Sequence, residues 1–258
     1  MQKGWRRTLP FSERKPDACL ITVMTSTIEA KTTSRFAGPH LALLAILYTV
    51  LFNAGLFPVT ALAGKPYWPG PWEPASVIVP YFQTHAGPVL TCLFLQSGAT
   101  ICLGLFTAAV VAQLRFLGVN SAGPWIALFG GFMTVFNGLA AALMMWTLIH
   151  PAVVQNPPAL MALYYLAYAL GGPGFSIPMG LLMAGVSVAA SFMKLLPKWI
   201  VALGLVLAVA GELSWLHLIS PAMLFLIPLT RFPGFIWIVA VGIALPRTRA
   251  NAVATAIA

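Results

Sequence analysis

Acidic residues are nearly missing from this chain: five Asp and Glu in 258 residues, against 14 Lys and Arg. Charged residues of both signs make up 7% of the total, where a soluble domain carries roughly a quarter to keep its surface wetted. That deficit excludes an ordinary soluble domain. The sole Asp is Asp17, and Glu212 is the one acid inside a hydrophobic run, so an intramembrane pair of catalytic carboxylates is excluded. Cysteine is scarce too: Cys19 stands near the N-terminus, and Cys92 and Cys102 share one apolar run. Ten residues of helix separate those two by about 15 Å, beyond the reach of a disulfide. There is no CxxC pair, Walker loop, GxSxG elbow or HExxH helix, so no familiar hydrolase, nucleotide or cysteine-held metal site is encoded. The net charge of +9 sits in residues that cap apolar runs, not in a patch interleaved with aromatics, and no nucleic-acid partner is expected.

What is abundant is apolar sequence: 60% of the residues are hydrophobic and the mean hydropathy is +0.90. In lipid every backbone polar group must be satisfied within the protein, which leaves helices or a closed barrel. Barrel strands alternate apolar and polar positions; these runs do not. An all-α membrane protein is expected, with spans at residues 41–63, 88–114, 123–149, 159–193, 199–219 and 222–245, each near or above the roughly 20 residues a bilayer needs. The fourth would be about 50 Å long if unbroken, so a break is expected at Gly171, Gly172, Pro173 and Gly174. Tyr164, Tyr165 and Tyr168 ahead of it suit an interfacial aromatic belt.

Counting Lys and Arg by alternate connections puts twelve on one side and Lys65 alone on the other. The positive-inside rule then orients both termini to the cytoplasm. Residues 1–38 read as a flexible basic tail, 39–246 as the six-helix domain and 247–258 as a short second tail. The connection at 64–87 carries four prolines and two tryptophans between Lys65 and Pro74, and is expected to lie along the outer membrane face as a passive belt or as a lid.

Charges inside spans are costly and are usually paired or functional. Glu212 and Arg231 are the two here, about 12–15 Å in from the outer ends of the fifth and sixth spans. With a short turn near Ser220 and Pro221, a direct ion pair between them is expected, and Asn53 and Gln96 complete a polar layer at similar depth. That layer is either interhelical glue or a site for a ligand, ion or proton. His85, His150 and His217 fall at the outer ends of three spans and form a candidate metal set. Gly130, Gly131, Gly138, Gly204, Ala208 and Gly211 mark close helix contacts. The Asn53-to-Pro58 and Gly172-to-Pro178 segments are Gly/Pro interruptions in corresponding spans of the two halves, a pattern associated with transporter sites.

Residues 171–178 (GGPGFSIP), 211–215 (GELSW) and 228–233 (PLTRFP) together resemble a class of uncharacterised bacterial multi-pass proteins, over less than a third of the chain. The resemblance implies a bacterial inner membrane and no particular chemistry. Three functions fit: a non-enzymatic protein that binds or carries a small lipophilic or weakly charged ligand; an accessory subunit that packs against membrane-protein partners or its own copies; and a membrane-embedded enzyme acting on a lipid or isoprenoid, with Glu212 as its acid or base. No cofactor is specified.

Overall fold

The computed structural model describes residues 35–248; most of the expected N-terminal tail, and residues 249–258 of the C-terminal one, lie outside the described residues. Six helical stretches are long and apolar enough to cross a membrane, and the chain is a multi-pass membrane protein. The first span is α1 (Leu41–Leu56), which tightens into a 3₁₀ turn at Phe57–Val59. The following connection contains α2 (Ala75–Thr84). Then come α3 (Ala86–Phe116), α4 (Gly123–Leu148), the single turn α5 (Pro151–Val154), α6 (Pro157–Gly171), α7 (Pro173–Phe192), α8 (Lys198–Leu213) and α9 (Leu226–Ala244).

The expected break falls at Gly172, between α6 and α7. Its chemistry follows from proline. Pro173 and Pro178 have no N–H, so the carbonyls one turn earlier lose their helical donors. The carbonyl of Gly174 would meet residue 178, and Asn137 Nδ2 donates to it instead. Phe175 and Ser176 both donate to Gly172 O, which leaves Gly171 O to a donor from outside the helix. In lipid such freed groups persist only where neighbours satisfy them.

The fourth span is the hub of the bundle: 67% of its apolar window is buried, against 33–44% in the other five. Its α7 half packs most extensively on α4 and α8. The α4 contact is backbone to backbone, since a methyl added at Gly130 would lie 2.5 Å from Pro178 O. Gly211 of α8 likewise abuts Ser176 and Gly180 of α7, and Gly204 abuts Ser187 and Trp237. The small residues serve close approach, as expected.

The two ends of the described chain meet at one end of the bundle. Arg35 and Thr248 form an isolated bridge, Phe36 N donates to Arg247 O at 2.8 Å, and Gln113 Nε2 donates to Leu245 O and Pro246 O. At the opposite end the 64–87 connection folds back onto the helices. Ile78, Tyr81 and Phe82 of α2 are buried with Leu148, Leu160 and Tyr164 in a second apolar cluster. Tyr164 Oη donates to Pro69 O at 2.6 Å, and Trp68 meets Phe82 edge-on at 5.3 Å. This connection is a packed roof, not a belt lying loose on the surface. Of the three tyrosines assigned to an interfacial belt, Tyr165 is exposed, but Tyr164 is buried in the roof contact and Tyr168 turns inward. Their phenols find partners inside, which outweighs a position in the headgroups.

Candidate functional site

Beneath the roof lies a cavity of about 390 Å³, within the roughly 300–1,000 Å³ typical of small-molecule sites. Of the two expected Gly/Pro interruptions only the second is a break, since α1 runs unbroken to Leu56 and ends in the 3₁₀ turn; Leu56, Val59 and Thr60 at that end, and Gly171 and Gly172 at the break, border the cavity. Trp68 of the roof, Cys92 and Gln96 of α3, Ala142 and Met145 of α4, and Tyr164 and Tyr168 of α6 supply further wall. On the α9 side the lining includes Pro228, Arg231 and Phe232. Pro228 and Phe232 are exposed, so the cavity reaches the lipid-facing surface of the bundle on that flank.

Arg231 is the one charged residue in this lining. Its guanidinium stands 4.6 Å from the ring centroid of Phe175 and 5.4 Å from that of Phe52, and an Nη2–H donates to the freed Gly171 O. Nε has no hydrogen-bond partner. An arginine at mid-span costs roughly 2.5–3.5 kcal/mol on insertion scales. Two cation–π contacts at roughly 0.5–2 kcal/mol each and one charge-assisted hydrogen bond at roughly 1.5–3 kcal/mol offset much of that. None of these partners carries a negative charge. Arg231 is thus stabilised and oriented while its charge stays uncompensated.

The expected Glu212–Arg231 ion pair is not formed. Glu212 Oε1 is buried without a hydrogen-bond partner and faces the α7–α8 contact, where a methyl on Gly180 would lie 3.2 Å from it. The physical reason is helical phase. α8 ends at Leu213 and α9 begins at Leu226, with 3₁₀ turns at Ser214–Leu218 and Pro221–Phe225 between them. Equal depth therefore does not mean a shared face: Glu212 looks toward the middle of α7, and Arg231 toward the break. The polar layer divides in the same way. Gln96 lines the cavity with Arg231, whereas Asn53 is exposed on α1 and donates back to Thr49 O at 2.7 Å.

The histidines do not converge either, and among the described residues no group of three or more His, Cys, Asp or Glu is placed to hold a metal. His85 stacks on Tyr81 at 4.9 Å, with Nδ1 2.7 Å from Thr84 Oγ1. His150 Nδ1 accepts from Ala152 N and caps α5. His217 Nε2 lies 3.2 Å from Tyr168 Oη, which fixes Tyr168 at the cavity wall. His85 and His150 make local contacts at two helix ends, while His217 reaches across to α6 and keeps Nδ1 buried without a partner.

Sequence reasoning missed Phe52, Phe175, Tyr168 and the Gly171 carbonyl as neighbours of Arg231. Phe175 had a signal, two residues after Pro173 in a segment already marked as broken. Phe52 and Tyr168 had none, because their inward facing depends on tertiary packing.

The chain matches no protein-family model, no curated protein and no solved structure. Its function is therefore argued from this cavity.

Proposed function

We propose that the protein binds a small lipophilic molecule in this cavity, taken up from the membrane past α9, and that it is a binding or carrier protein rather than an enzyme. One observation carries the reading: an apolar cavity of about 390 Å³ whose wall on α9 includes lipid-exposed side chains. The break at Gly172 that borders it supports a carrier, since discontinuous helices commonly frame transport sites. No carboxylate lies in the described lining, and Glu212 lies outside it. The charge asymmetry of the connections supports a cytoplasmic location for the termini, so the cavity opens in the outer half of the bilayer, and the resemblance noted above points to a bacterial inner membrane.

The test is saturable binding of 1-decanol to the protein in phosphatidylcholine nanodiscs, with empty discs subtracted. Wild-type protein should bind it, and Ala142→Phe, which fills the wall between α3 and α6, should weaken binding about ten-fold or more while the folded yield is retained. Equal binding by both proteins would place the ligand elsewhere.

A further inference from the structure

Building on the reading of the cavity as a lipophilic site, we propose that its ligand is a single-tailed amphiphile with one oxyanion head, a carboxylate or a phosphate monoester, and that Arg231 seats the head. Three observations lead there. Among the described residues, Arg231 is the only charge in the lining and no Asp or Glu shares it, so the site presents one positive charge without a carboxylate partner to whatever enters. The phenyl rings of Phe52 and Phe175 and the Gly171 carbonyl hold the guanidinium in place. They prepay the ordering of a long side chain without neutralising it, which is what an anion site requires. The chain break places the start of α7 at Gly172 and Pro173, and Gly172 lines the cavity. There the positive end of the α7 dipole meets the negative end of the α6 dipole, so the two largely offset and Arg231 is the source of the positive field. The remaining walls, Val59, Val89, Leu93, Met145 and Ile227 among them, suit an alkyl or isoprenyl tail.

The same features reject other heads. A cationic amphiphile meets the field of Arg231 with no acid to receive it. A zwitterionic lipid lacks a partner for its ammonium, and its two tails exceed a cavity of about 390 Å³. A neutral alcohol can fill the apolar part and accept a hydrogen bond from the guanidinium, but it brings no countercharge. An anion free of a tail finds only the head contact, and Arg231 alone holds it weakly. Tyr168, pinned by His217, and Gln96 supply the neutral hydrogen-bonding groups around the head.

The experiment uses full-length protein in phosphatidylcholine nanodiscs and four probes: decanoate, decyl phosphate, 1-decanol and inorganic phosphate. Decanoate and decyl phosphate should bind at least about ten-fold more tightly than 1-decanol, and whichever binds more tightly names the head. Inorganic phosphate should bind far more weakly than decyl phosphate. Arg231→Gln should bring the affinities for decanoate and decyl phosphate down to that for 1-decanol, with a single sharp gel-filtration peak reporting that the bundle is folded; Arg231→Lys should keep part of the preference. If 1-decanol binds as tightly as the acids to the wild type, the anion assignment is wrong and the lipophilic cavity stands. If none of the decyl probes binds, both fail. If Arg231→Gln binds 1-decanol and still prefers the acids, another group seats the head and the assignment of Arg231 is overturned. Should that variant not fold, the wild-type comparison of acids with 1-decanol decides the ligand class, and Arg231→Lys decides the residue: a reduced preference supports Arg231, and an undiminished one overturns it.

Discussion

Glu212 and Arg231 show how little depth alone says about a charge in a membrane. Arg231 is held by two aromatic faces and a backbone carbonyl; Glu212 faces a glycine contact with Oε1 unpartnered. Breaking a buried ion pair strands a charge and typically costs about 3–5 kcal/mol. Here no such pair exists, so Glu212→Gln should shift stability by well under that amount, about 1 kcal/mol or less in either direction. Steric trapping or SDS titration in bicelles measures it, and a loss of about 3 kcal/mol would mean that Glu212 holds a charged partner after all. The existence of both charges was legible in the sequence, because ionisable residues in apolar runs are rare and easily counted. Their partners were not. An ion pair was expected from two depths and a short turn, but 3₁₀ turns between the helices reset the phase, and single-sequence reasoning has no measure of phase across a connection.

At the scale of elements, the break between α6 and α7 was readable to the residue, because glycine and proline punctuate a helix whatever the tertiary context. What the sequence could not supply was who satisfies the freed carbonyls. Asn137 Nδ2 answers Gly174 O because Pro178 has no N–H to give. Asn137→Leu should therefore destabilise the bundle by about 0.6–1.7 kcal/mol, the range of interhelical hydrogen bonds in membranes. In a Pro178→Ala background the helix regains its own donor, and the cost of Asn137→Leu should shrink toward zero. A double-mutant cycle reads this directly; equal costs in the two backgrounds would show that Asn137 acts through something other than that carbonyl. The 64–87 connection was recognised as stiff and aromatic, and a lid was one of two expectations for it. Its role as a roof became visible only once Tyr164, taken for an interfacial residue, was found donating to Pro69 O.

For the whole molecule, six spans and an all-helical bundle were legible from composition and run length, since lipid leaves a chain few alternatives. The cavity was not, because it is a gap between six segments that no single segment announces. It lies beneath the roof, between the end of α1 and the break at Gly172. The orientation rests on twelve cations against one and is open to direct measurement. With Cys19, Cys92 and Cys102 replaced, a single cysteine at position 72 should react with an impermeant maleimide added to intact cells, and one at position 115 should react only after the membrane is opened. The reverse pattern would invert the protein and move the cavity to the inner half of the bilayer.

The central claim is that an anionic amphiphile occupies the space between the roof and Arg231. The most direct measurement is photolabelling with a decanoate that carries a diazirine near its tail end, in nanodiscs, with the labelled residues read by peptide mass spectrometry. We expect label on cavity-lining residues such as Cys92, Met145 and Ile227, competed away by unlabelled decanoate and lost in Ala142→Phe. Label confined to lipid-facing residues such as Phe94 and Ile236, unchanged by competitor or by the cavity-filling variant, would contradict the account.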